Sequence, residues 1–78
     1  MSRIESHMRD ILKDLGEDPS REGLKLTPRR VAKSLHELTS GYRVDIDAMI
    51  NNALFTETYN EMVLVRDITF YSMCEHHM

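Results

Sequence analysis

Apolar residues recur at helical spacing through the first two thirds of this chain and at strand spacing near its end. Ile4, Met8, Ile11, Leu12 and Leu15 share one helical stripe, with Arg3, Glu5, Arg9, Asp10 and Lys13 on the remaining faces. Ser2 is placed to cap the start and Gly16 to end the helix in a left-handed conformation, so the spacing predicts a helix over about residues 3–15. His7 on that helix reads as a solvated surface residue. A connector with turn chemistry follows: Pro19 disfavours helix at Asp18, and Ser20 starts a single turn through Leu24. Thr27 then reads as an N-cap with Pro28 in the first helical position. Val31, Ala32, Leu35 and Leu38 form the buried stripe, and Gly41 closes the helix. Two antiparallel helices joined in this way bury their stripes against each other or against a partner. Asp45 is a cap for a third, short helix whose apolar face is Ile46, Met49, Ile50, Ala53 and Leu54.

From Met62 the period changes. Met62, Val63, Leu64 and Val65 form a continuous apolar run, as in a strand covered on both faces. Arg66 and Asp67 interrupt it, and Ile68, Thr69, Phe70 and Tyr71 resume with alternation, which predicts a bulge or bend between the halves. The expected class is therefore α+β, with a helical region over 1–60 and a strand-and-motif region over 61–78. One strand cannot satisfy its own backbone groups, so more chain or another subunit is expected to pair with it.

Composition narrows the setting. Seventy-eight residues allow one small domain, close to the size where a single core becomes marginal. Hydrophobic residues at 41% and charged residues at 29% fit a soluble globular chain. A net charge of −3 without a dominant basic patch argues against nucleic acid as a partner. No apolar run approaches the roughly 20 residues that span a bilayer, so no membrane partner is expected. The N-terminus lacks a signal-peptide pattern, and one cysteine cannot form an internal disulfide; together these point to a reducing cytoplasm. Arg29 and Arg30 stand in the first turn of the second helix, where the macrodipole disfavours cations. Solvated charges pairing with acidic neighbours explain them, and so does a contact from one of them to an anionic ligand.

The candidate chemistry lies in Cys74, Glu75, His76 and His77. Cys74 and His77 are three positions apart, so one turn directs a thiolate and an imidazole at a borderline-soft cation such as zinc. His76 faces elsewhere and is free for proton transfer. A Cys–His nucleophile is the competing arrangement, and Glu75 serves equally as an orienting group or a structural hydrogen-bond partner. A catalytic zinc takes three protein ligands plus water, so the site is expected to be incomplete within this chain.

The segment over 61–77, with Val65-Arg66-Asp67-Ile68 and Cys74-Glu75-His76-His77, resembles the zinc-site strand of GTP cyclohydrolase I. Residues 17–24, Thr27-Pro28-Arg29-Arg30-Val31-Ala32 and residues 38–42 resemble the helical region before it. The resemblance implies the tunnelling fold (T-fold), with this chain holding the helices and the first strand of its antiparallel sheet. It implies a homodecamer of stacked pentamers. It also implies opening of GTP at C8 with release of formate, giving 7,8-dihydroneopterin triphosphate for folate or related pterin synthesis. Cys74 and His77 map onto two of three zinc ligands, the third being a later cysteine of the family. The zinc activates the water that attacks C8, His76 maps onto the proton-transfer residue, and Arg30 maps onto an arginine connected with the substrate triphosphate. The family pattern continues past His77 with further strands, helices and ligands, so the chain alone is expected to be inactive. The alternative is a non-catalytic assembly module derived from the same family.

Overall fold

The computed structural model describes residues 2–78. Helix α1 spans Arg3–Asp14, α2 spans Thr27–Leu38, a 3-10 turn covers Ser40–Arg43, and α3 spans Ile46–Ala53. At the start of α1 the Ser2 hydroxyl accepts the Glu5 backbone N–H at 3.2 Å, using one of the otherwise unpaired first-turn donors. At its end, Gly16 has φ +87, its N–H donates to the Lys13 carbonyl, and the Glu17 N–H donates to the Leu12 carbonyl. That pair of bonds is the Schellman arrangement.

The connector is held by its own side chains. Asp18 Oδ1 accepts from the Ser20 backbone N–H at 2.9 Å and from the Ser20 hydroxyl at 2.6 Å. These bonds, the hydroxyl first, hold the Asp18 carboxyl below the ordinary carboxylate value. Successive turns lead into α2, whose start differs from the expectation. Leu26 holds the N-cap position with helical dihedrals, Thr27 is already helical, and no side chain caps this end. The Thr27 N–H instead donates to the Leu24 carbonyl, so α2 grows out of the preceding turn. At the far end the Arg43 guanidinium donates to the His36 carbonyl and ties the 3-10 turn to α2.

Helices α1 and α2 pack on each other and enclose the small core: Leu12 is 7% exposed, Ala32 5%, and Pro28 is fully buried. The stripes are wider than the contact. Leu15 is 72% exposed and Leu38 43%, although both lie on the faces expected to be covered. In α3 the Asp45 carboxylate accepts the Ala48 N–H at 3.1 Å, as expected of a cap, while Ile46, Met49 and Ile50 face solvent.

Residues 54–73 follow without helix, and their apolar side chains as far as Tyr71 are exposed, Val63, Val65 and Phe70 among them. Asp67 has φ +57, so its backbone leaves the extended region where the pattern breaks. The radius of gyration is 19.9 Å, against about 12 Å for a compact chain of this length. Among the described residues no helix is long and apolar enough to cross a membrane.

Candidate metal and proton-transfer site

The chain turns back on itself at 75–77, closed by a bond of 3.1 Å from the Met78 N–H to the Cys74 carbonyl. One turn of this kind brings positions i and i+3 to one side. Cys74 Sγ accordingly lies 3.3 Å from His77 Nδ1. The thiol is held below its ordinary value, first by the His77 backbone N–H directed at the sulfur. Desolvation opposes this, and the N–H groups of His76 and Met78 add to the lowering. An exposed sulfur whose pKa is lowered, beside an imidazole nitrogen, is a donor pair suited to a borderline-soft cation.

The spacing fits a tetrahedral cation. Bonds of about 2.3 Å to sulfur and about 2.1 Å to nitrogen at a tetrahedral angle place the donors roughly 3.6 Å apart. The observed 3.3 Å needs only a small opening. The pair also shares a proton, which a divalent metal displaces on binding. Among the described residues no three His, Cys, Asp or Glu side chains gather in one place. The residues present thus amount to half of a tetrahedral ligand set.

His76 does not join that pair. Its ring stands edge-to-face on His77, with centroids 5.3 Å apart and an interplanar angle of 80°. The two imidazole planes are therefore close to perpendicular. Glu75 lies exposed in the same turn.

Arg30 is placed elsewhere. It is exposed in the first turn of α2, and the ion pairs among the described residues, Lys13–Asp10 and Arg21–Glu17, involve neither Arg29 nor Arg30. The approach to the Cys74 turn is at the opposite end of α2. There a cleft of about 480 Å³ is lined by Leu38, Thr39 and Tyr42 on one side and Tyr71, Ser72 and Met73 on the other. At 1.5 Å per residue, about 12 Å of helix separates Arg30 from Leu38. The sequence carries no signal for this cleft, because its walls come from segments far apart along the chain.

The family model for GTP cyclohydrolase I matches residues 4–78. The chain belongs to the GTP cyclohydrolase I family. It is 66% identical over 68 residues to the protein named GTP cyclohydrolase 1 of Chlorobaculum tepidum, covering 87% of this chain and 30% of that relative. The protein of the same name from Alkalilimnicola ehrlichii is 57% identical over 76 residues, covering 97% and 41%. That of Porphyromonas gingivalis is 54% identical over 77 residues, covering 99% and 40%. The chain thus spans 30–41% of the length of these GTP cyclohydrolase 1 relatives. No solved structure matches it at a significant level.

Proposed function

We propose that this chain supplies the Cys74–His77 zinc ligands and the His76 proton carrier of a GTP cyclohydrolase I. In this reading the assembled enzyme opens GTP at C8, releases formate and forms 7,8-dihydroneopterin triphosphate. The observation that carries the proposal is the 3.3 Å approach of Cys74 Sγ to His77 Nδ1, with the His76 ring edge-to-face beside His77, in a chain of this family. When bound, zinc supplies Lewis-acid chemistry that makes water a competent nucleophile near neutral pH. Cys74 and His77 hold and orient the ion, and a third protein ligand comes from outside residues 1–78.

His76 moves the proton. Its ring sits next to the ligand pair without belonging to it, the position needed to accept a proton from water and return it to a ring nitrogen of the substrate. Arg30, exposed at the start of α2, contributes positive charge to the triphosphate of a GTP bound by a neighbouring subunit. Residues 62–71 form the first strand of the antiparallel T-fold sheet once further strands supply hydrogen-bond partners, within a decamer of stacked pentamers. Their exposed apolar side chains, Val63 and Val65 among them, support that reading.

The test separates ligand from proton carrier in the complete enzyme. His76→Ala keeps stoichiometric zinc and loses turnover by roughly 10²–10⁴, the usual size of an acid–base contribution. Cys74→Ser and His77→Ala lose zinc and turnover together. Loss of zinc from His76→Ala overturns the assignment of the two histidines.

A further inference from the structure

A second cleft lies away from the Cys74 turn, where α1 meets the connector. It measures about 410 Å³ and is lined by Arg9, Lys13, Asp18, Pro19, Ser20 and Lys25. That size falls within the range of small-ligand pockets. Its charge is unlike that of the chain as a whole. The molecule carries −3, yet this cleft gathers three cations around one carboxylate. Asp18 Oδ1 already accepts two hydrogen bonds from Ser20, so that carboxylate oxygen is committed within the connector. Lys13 has one carboxylate neighbour, Asp10 at 4.0 Å, with both side chains more than half exposed, and such pairs contribute little. Arg9 and Lys13 are four residues apart on α1 and so share a face, where like charges repel each other. An anion between them relieves that repulsion.

We propose that this cleft binds a small multivalent phosphate-type anion. Arg9 supplies a planar fork of N–H donors, Lys13 and Lys25 supply ammonium groups from either side, and Pro19 forms an apolar wall. The site is distinct from the proposed zinc ligands and from Arg30. An exposed site of this kind is screened by salt, so its affinity falls steeply with ionic strength.

Amide NMR of the 78-residue chain, titrated with pyrophosphate at constant ionic strength, tests the proposal. Inorganic phosphate forms a second arm and chloride a third. Saturable shifts are expected at Arg9, Lys13, Ser20 and Lys25, strongest for pyrophosphate, weaker for phosphate and absent for chloride. Lys25→Gln, which lies outside both helices, weakens pyrophosphate binding by about 5–10-fold, on the scale of one solvent-exposed hydrogen bond. Lys33→Gln, outside the cleft, leaves it unchanged. Far-UV circular dichroism confirms that helix content is retained, and Arg9→Gln replaces any variant that loses helix. Shifts spread over all basic residues, an equal response to chloride, or binding indifferent to both Lys25→Gln and Arg9→Gln would overturn the proposal.

Discussion

Replacing Gly16 by alanine isolates the contribution of a single backbone dihedral. Gly16 has φ +87, and a Cβ built there meets nothing within 4 Å, so the cost is conformational rather than steric. An L-residue in the left-handed region costs about 1–2 kcal/mol. Stiffening the unfolded chain from glycine to alanine returns about 0.4–1 kcal/mol. The net expectation is a loss of roughly 1 kcal/mol, which for a domain of this size lowers Tm by about 4–8 °C. Gly41 is the internal control. It too has open space around its Cβ position, but its φ is not positive, so Gly41→Ala gains the stiffening term alone and is neutral or slightly stabilising. Thermal melts followed by far-UV circular dichroism read both variants under identical conditions. If Gly16→Ala melts at or above the parent temperature, the Schellman end of α1 does not contribute as described. Shifts of the same sign and size in both variants would show a generic glycine effect instead.

Three further outcomes are expected. Zinc binding by the 78-residue chain, measured by chelator competition, falls well short of the roughly 10–16 kcal/mol of closed structural sites and weakens further in Cys74→Ser; tight stoichiometric zinc refutes a two-ligand site. Asp18 has its folded pKa depressed, so its contribution to stability is present above the unfolded carboxylate value and is lost as pH falls through the folded one. In Ser20→Ala the Asp18 side-chain resonance titrates at higher pH, and an unchanged midpoint refutes the role of the hydroxyl. Val63→Lys or Val65→Lys lowers self-association in light scattering, because each places a charge on an exposed apolar run, and undiminished association places the sticky surface elsewhere.

What the sequence made legible was local chemistry. Ser2, Gly16 and Asp45 are read correctly because a cap or a left-handed residue depends on its own few neighbours. Cys74 and His77 meet for the same reason, one turn apart. Thr27 is misread because the residue before it already has helical dihedrals, which a capping pattern does not encode. Periodicity finds the inward faces of α1 and α2, but not how far a partner covers them, so Leu15 and Leu38 stay exposed. Arg29 and Arg30 show the same limit: position on a helix is legible, while the choice between solvent, an acidic neighbour and a ligand depends on what lies opposite. A sheet requires a second strand, and the cleft beside Tyr71 requires two distant segments, so neither follows from a single stretch of sequence.

The left-handed dihedral of Asp67 has a protective side. Steric-zipper fibrils need about six or seven consecutive residues of flat, apolar, extended backbone. Residues 62–71 contain enough valine, leucine, isoleucine and aromatic side chains to qualify by composition. A φ of +57 at Asp67, with a charge on either side of the Arg66–Asp67 bond, divides that stretch into two runs of four. Each is long enough to pair with a neighbouring strand and too short to template an open-ended stack. The Arg66–Asp67 interruption thus keeps either apolar run below the length of a steric-zipper segment.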